Sequence, residues 1–518
     1  MQWNLADLFE SLVDAVPERT ALVAGEQRAR FIDLEARANR LAHALAARGV
    51  RAGDHVGLYL YNGREYLEAM LAAFKLRAVP ININYRYVAD ELAYLVARAD
   101  LVGLIHQREL GPRVSAVAPA LRARIVVDDA SGAPLDGALP YERLLEDAPA
   151  ERRFGARSAD DLHIIYTGGT TGMPRGVMWR HEDLFFAGLQ GGNPGGPPLG
   201  RPEELAANAR ARTSPMVILP AAPFIHGAAQ FAAFIGLHTG GTVVVAPGPS
   251  FDAARVVELI ERERVNTLSI VGDAMARPLC QAAAGRDLSS LLVISSGGAI
   301  LSATVKQELG ERIPGAMVLN AFGASETGHQ GTMFPGAGAA FFMDATTTVL
   351  GDDGRPVAPG AVGRLARRGH LPLGYYNDPE KTAATFVTID GVRWCLPGDL
   401  ASVDESGAIT VHGRGAMCIN SGGEKVFPEE VEEILKAHPA VVDAVVVGMP
   451  DERWGQRVAA VVEARPGSEV TLALLDEHCR RRIAGYKVPR QLRVVPVLIR
   501  QPSGKPDYRW ARAALGEA

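Results

Sequence analysis

Four cysteines in 518 residues, Cys280, Cys395, Cys418 and Cys479, are too few and too scattered for a disulfide framework or a zinc ribbon, because no two stand at Cys-x-x-Cys spacing. They read as reduced thiols. Long apolar runs are missing as well, so nothing has the length of an uninterrupted membrane-spanning helix. The first residues carry Asp7 and Glu10 and lack the basic start and apolar stretch of a secretion signal, which makes a cytoplasmic chain the expectation. An excess of positive charge is absent too. With 54 Lys+Arg against 59 Asp+Glu and a net charge of -5, the chain offers no basic footprint for nucleic acid. No fixed-period repeat points to a solenoid.

What is present is an ordinary globular composition, 47% hydrophobic and 22% charged, on a chain too long for one compact core. Leu34, Ala38, Leu41 and Leu45 recur at helical spacing up to Gly49, after which Val56, Leu58 and Leu60 alternate as in a strand. The rhythm returns as a helix over 256–263, then strands over 267–271, 291–295 and 317–321. Such alternation predicts an α/β protein whose large N-terminal domain has layered, mostly parallel sheets with crossover helices. Residues 191–214, rich in Gly, Pro and Ala, read as an exposed irregular excursion. The main linker falls at Gly413-Arg414-Gly415, giving a large domain over 1–413 and a small, mobile C-terminal α+β lid over 414–518. In the lid a helix over 429–437 with Pro428 at its first position and strands over 440–447 and 458–464 are expected.

The sharpest local signal is Tyr166-Thr167-Gly168-Gly169-Thr170-Thr171-Gly172-Met173-Pro174-Arg175-Gly176, directly after a strand over 162–166. Glycine frees backbone amides to wrap a polyphosphate, threonine hydroxyls donate to its oxygens, and a nearby cation offsets its charge. It is not the Gly-Lys-Ser/Thr loop of the common nucleotide triphosphatases, because that Lys is missing and Pro174 would interrupt the helix start. Four more segments follow in order: 220–227, a Pro-rich run ending Phe224-Ile225-His226-Gly227; Ser295-Ser296-Gly297-Gly298-Ala299 with Asn320-Ala321-Phe322-Gly323-Ala324-Ser325-Glu326-Thr327; Trp394-Cys395-Leu396-Pro397-Gly398-Asp399; and Gln501-Pro502-Ser503-Gly504-Lys505.

In this order, over nearly the entire chain, these segments resemble the adenylate-forming superfamily of acyl-CoA synthetases, luciferases and peptide-synthetase adenylation domains. The resemblance implies that ATP is the nucleotide and that Thr167, Gly168, Gly169, Thr170, Thr171, Gly172 and Arg175 hold its phosphates. Gly297, Gly298, Ala299, Asn320, Ala321, Phe322 and Gly323 would border adenine and the acyl group, with Phe322 stacking on the base, and Ser325 would contact phosphate. Glu326, with Thr170, would hold Mg, which takes hard oxygen donors. Asp399 would accept from the ribose hydroxyls, Arg414 would reach ribose or phosphate, and Lys505 would place its charge between carboxylate and α-phosphate. Gly422 and Gly423 would line the pantetheine path of coenzyme A, and Lys425 would come near AMP in one lid state.

Two departures from the family pattern stand out. Arg175 occupies a position that is generally lysine, keeping the cation but replacing a point charge by a planar fork. Ala416 stands at the hinge where Asp or Lys is usual, and we take it as the pivot. The implied pocket residues Phe224, His226, Ala229, Gln230, Val271, Gly272, Gly297, Gly298, Ala321 and Gly323 are mostly small or apolar, which suits a bulky hydrophobic acid, with His226 gating the pocket against water. The strings over 166–180 and 419–425 resemble bacterial ligases of fatty and steroid side-chain acids, so medium- or long-chain and polycyclic steroid or terpenoid acids are the expected substrates. The expected partners are therefore a small carboxylic acid, ATP and CoA, with no nucleic acid and no integral membrane segment; a homodimer is compatible. A ligase loading a carrier protein, a non-catalytic acyl or nucleotide sensor, and remotely a luciferase-like oxygenase are the alternatives.

Overall fold

Strands of this chain end where its glycines, serines and threonines begin, and that places the reactive segments along one set of strand ends. The computed structural model describes residues 1–87, 89–117, 121–169, 172–334, 340–414, 417–421, 424–451, 455–483, 485–501 and 504–516, with the main chain alone at 168, 169, 172, 173, 414, 420, 424, 425 and 455. Among the described residues there are four sheets. In the first, His55–Tyr59 lies between Val79–Asn82 and Leu101–Gln107, all parallel. The sheet continues through Leu162–Gly169 to the antiparallel strand Gly172–Arg180. His55–Tyr59 is buried along its whole length, as a strand covered on both faces must be.

The second sheet runs parallel from Thr20–Ala24 through Thr242–Val245, Val217–Pro220, Thr267–Ile270 and Val293–Gly297 to Met317–Ala324, then turns antiparallel at Gly328–Met333. The helix Ala253–Glu263 crosses over between two of these strands; Asp252 caps its start, its Oδ1 accepting from the amides of Ala254 and Arg255. Val256, Val257, Leu259 and Ile260 form its buried stripe. Both sheets share one continuous apolar core with the helix Phe31–Ala47. A third sheet, Val362–Arg367 with Asp399–Val403 and Ile409–Arg414, is antiparallel and closes the large unit.

A fourth sheet belongs to the C-terminal unit: Ile419–Ser421, Val441–Asp451, Gly455–Ala464 and Gln491–Val495. It has its own core, with Val431 and Leu435 of the helix Pro428–Lys436 packed on Val446, Val458 and Ala460. Pro428 opens that helix, as expected. The α/β class, the large sheet-layered unit and the small C-terminal unit are therefore as expected. The excursion over 191–214 needs correction. It contains the helix Glu203–Ala211, whose Leu205 and Ala209 are buried, and Leu199 ahead of it is buried too. Apolar side chains four residues apart were present in the sequence but were outvoted by the surrounding glycines and prolines.

Candidate active site

The expected phosphate loop is the tip of a hairpin, not a turn into a helix. Leu162–Gly169 pairs antiparallel with Gly172–Arg180, Thr167 facing Arg175 and Gly169 facing Gly172. Thr170 and Thr171 lie outside the described residues, and Gly168, Gly169 and Gly172 are described by main chain only. At Gly176 a Cβ would stand 2.7 Å from both Ile164 Cγ2 and Tyr166 Cε2, so the glycine lets the Tyr166 ring lie across the strand. Arg175 donates from Nε to Asp378 at 3.1 Å, and Asp378 caps the helix Pro379–Thr385.

The Pro-rich run forms the turn between the strand Val217–Pro220 and the helix Gly227–His238. Phe224 is fully buried against Tyr66, ring centroids 5.4 Å apart. Gln230 donates to the Phe224 carbonyl at 2.7 Å while its Oε1 lies 3.0 Å from His163 Nε2. His226 points Nε2 into a buried space without a hydrogen-bond partner among the described residues. Burial above all, then the charges of Lys505 and Arg86, lower its pKa to about 4, so the imidazole is neutral at pH 7. A Cβ at Gly227 would lie 3.6 Å from Ser325 Oγ, which puts this turn beside the segment carrying Glu326.

That segment ends the strand Met317–Ala324. Asn320 accepts from Leu301 N–H at 2.9 Å, tying in the loop that follows Ser295–Ala299, and Gly297 pairs with Ala321. Ser296 Oγ accepts from Gly272 N–H at 2.8 Å and donates to the Ala299 carbonyl at 2.7 Å. Gly298 takes φ +83, a left-handed turn suited to glycine, and Val271 lies 3.9 Å from its Cβ direction. Gly323 is obligatory for another reason: a Cβ there would meet the Gly328 carbonyl at 2.1 Å. Phe322 packs against Phe341 at 5.4 Å. Trp179 Nε1 donates to the Ser325 carbonyl at 2.9 Å, and Tyr375 donates its hydroxyl proton to Glu326 Oε1 at 3.0 Å. Burial, then the Glu326 charge, push the Tyr375 phenol up, so it stays a donor.

Asp399, buried at the start of its strand, pairs in register with Arg414, whose side chain lies outside the description. The small unit docks here. Gly504 brings its backbone within 3.1 Å, measured from a Cβ position, of Val271 Cγ1, and Glu433 accepts from Ala303 N–H at 2.9 Å at the start of the helix Ala303–Arg312. Glu429 lays its carboxylate over Gly413, whose φ is +90. Burial, with Glu432 and Asp399 nearby, lifts the Glu429 carboxyl to about 8. One of its oxygens has no partner among the described residues. Lys505 itself is exposed and sits on a tight turn, Gln501 N–H to the Lys505 carbonyl at 2.9 Å and Gly504 N–H to the Gln501 carbonyl at 2.8 Å. Arg500 pins that turn through a two-pronged pair with Asp443, both bonds 2.7 Å. Gly422, Gly423 and Ala416 lie outside the described residues, and Lys425 is described by main chain alone, paired with Asn420.

The structure thus sets the His226 turn beside Ile165 of the hairpin and Ser325, and the turn before Lys505 against Val271. Sequence reasoning missed Tyr375, Asn82 and Asn62. Tyr375 arrives through a two-residue strand pairing with Val177, a signal too short to see in sequence.

Comparison with known proteins shows the family. The AMP-binding enzyme model matches residues 9–376, and the AMP-binding enzyme C-terminal domain matches 430–505. A medium/long-chain-fatty-acid–CoA/3-oxocholest-4-en-26-oate–CoA ligase of Mycolicibacterium smegmatis is 46% identical over all of this chain and 97% of its own length. A 3-oxocholest-4-en-26-oate–CoA ligase of Rhodococcus rhodochrous is 45% identical, over 100% and 96%. The fold is also that of an anthranilate CoA ligase solved with anthranoyl-AMP, TM-score 0.86 at 24% identity over 99% of this chain and 97% of that one. With matched models that cover both its large and small units, this chain belongs to the AMP-binding enzyme family of adenylate-forming ligases.

Proposed function

We propose that the protein is an AMP-forming acyl-CoA synthetase that joins ATP to a hydrophobic carboxylic acid and then passes the acyl group to CoA. The observation that supports this reading is the docked lid, with Gly504, next to Lys505, 3.1 Å from Val271 Cγ1 measured from a Cβ position and Glu433 accepting from Ala303 N–H at 2.9 Å. The names of the relatives support fatty and steroid side-chain acids as the substrate class.

A carboxylate is a poor acyl donor, so its oxygen attacks the α-phosphorus of ATP and pyrophosphate departs. Lys505 places positive charge where the incoming carboxylate and the α-phosphate crowd negative charge together. The hairpin amides receive the departing phosphates, and Asp399 orients the ribose. Neutral His226 adds no competing cation and screens the mixed anhydride from water. Glu326 suits magnesium as a hard carboxylate oxygen donor, and Tyr375 holds that carboxylate in place. Glu326 and Thr170 would hold magnesium, whose charge would offset that of the leaving pyrophosphate.

For the second step the lid leaves this position, the pivot being Ala416, between a body of 1–413 and a lid of 414–518. Gly422 and Gly423 then admit the thin pantetheine arm, and the CoA thiol attacks the carbonyl as AMP leaves. No described helix is long and apolar enough to cross a membrane; we place the reaction in the cytoplasm. The test is a panel of fatty and steroid acids with Mg-ATP and CoA, reading AMP and acyl-CoA by mass. Acyl-CoA from a long-chain or steroid acid supports the reading. Adenylate formation with transfer only to a carrier protein contradicts the CoA step, and nucleotide binding without turnover contradicts both steps.

A further inference from the structure

Asn82 joins two parts of the cleft that lie far apart in sequence. The strand Val79–Asn82 runs parallel to Leu162–Gly169, yet their ladder consists of one pairing, Ile81 with Ile164. Where the ladder stops, the Asn82 side chain, 5% exposed, continues it. Its Oδ1 accepts from Tyr166 N–H at 2.7 Å, and Nδ2 donates to the Tyr166 carbonyl at 2.8 Å, as a strand neighbour would. The second Nδ2 proton goes to the Ile225 carbonyl at 2.7 Å. Both donors of the amide are thereby used, together with its acceptor. Tyr166 opens the phosphate hairpin, and Ile225 immediately precedes His226.

Asn62 works on the same turn from the neighbouring strand end, accepting from Phe224 N–H at 2.8 Å and donating to the Ala222 carbonyl at 3.1 Å. Among the described residues it makes no hydrogen bond to the hairpin. Asn82 alone of the two bridges hairpin and turn.

We propose that Asn82 is a positioning residue for acyl-adenylate formation: it fixes the spacing between the hairpin that takes the pyrophosphate and the turn that presents His226, so that carboxylate and α-phosphorus meet in line. The proposal rests on the acyl-CoA synthetase reading. It concerns the first step because the hairpin's work ends when pyrophosphate leaves, whereas thiol attack on the adenylate draws nothing from it. A small displacement between bound groups is enough to cost a large part of such a rate.

The test compares the full-length wild type with Asn82→Asp and Asn82→Ala. Asn82→Asp keeps the shape and the acceptor for Tyr166 N–H but sets an oxygen against the two carbonyls; Asn82→Ala removes all three bonds. Three quantities are read: acid-dependent pyrophosphate release with lauric acid, conversion of supplied lauroyl-adenylate by CoA, and the thermal midpoint. Both variants should lose roughly 10- to 100-fold in kcat for pyrophosphate release, with KM for ATP and acid within about 3-fold. Conversion of supplied adenylate should stay within about 3-fold of wild type. Parallel loss in both half-reactions, or loss in neither, overturns the proposal, as does failure of both variants to fold. A wild type that releases no pyrophosphate with any acid strikes the functional reading itself, a result distinct from either variant outcome.

Discussion

The two walls of the cleft are made differently. On the body side, Asn62, Asn82, Gln230, Ser296 and Asn320 each spend side-chain hydrogen bonds on nearby main chain. Each bond is worth only about 1 kcal/mol net, yet leaving a buried partner unmet costs roughly 1–3 kcal/mol. The lid side meets the body through contacts that include Glu433 on Ala303 and Gly504 on Val271, and it carries the Glu429 carboxyl with an unmet oxygen over Gly413. On the body side these bonds fix the main chain of the hairpin and the turn. On the lid side the unmet Glu429 oxygen lies at the surface that parts between the half-reactions, which makes the docked state easier to leave.

This contrast can be broken from either side. The largest effect belongs to Lys505→Ala, which should lower adenylate formation by about 10²–10³-fold while supplied acyl-adenylate still reacts with CoA. Equal loss in both steps would mean that the lid does not divide the labour.

Glu429→Gln tests the unmet carboxyl. Its ordinary value is 4.5, and burial, then Glu432, with Asp399 of the body adding to it, raises it to about 8; because the carboxyl lies over Gly413 of the body, the docked lid holds the proton more tightly than a released one. Docking is therefore strongest at low pH, weakens as pH rises from 4.5 to about 8, and gains nothing from this proton above that. The wild type should lose pyrophosphate release severalfold relative to Glu429→Gln as pH rises through this window; matching profiles would remove Glu429 from the account. Smallest is Arg175→Lys, predicted to change kcat by less than about 3-fold, since the cation survives and only the fork paired with Asp378 is lost.

Periodicity in the sequence was enough for the α/β class and for most strands named from it, because alternation and helix spacing survive in a single chain. Segment order was enough to nominate Glu326, Asp399 and Lys505 for one site. The hairpin form of 166–176 was not legible, since Gly and Thr suit a turn into either a helix or a strand. Nor was the helix Glu203–Ala211, hidden among Gly and Pro. Asn82, Asn62 and Tyr375 escaped notice for a shared reason: each acts through a bond to a residue dozens to hundreds of positions away, and nothing local marks it. The unmet oxygen of Glu429 is likewise invisible in sequence, because it depends on what packs around the carboxyl.

Acid-dependent exchange of labelled pyrophosphate into ATP bears most directly on the account, because only a reversible acyl-adenylate step returns the label. With Mg-ATP and a long-chain or steroid acid, without CoA, the wild type should incorporate label, and omitting the acid should abolish it. Nucleotide binding without exchange, whichever acid is supplied, would contradict the account.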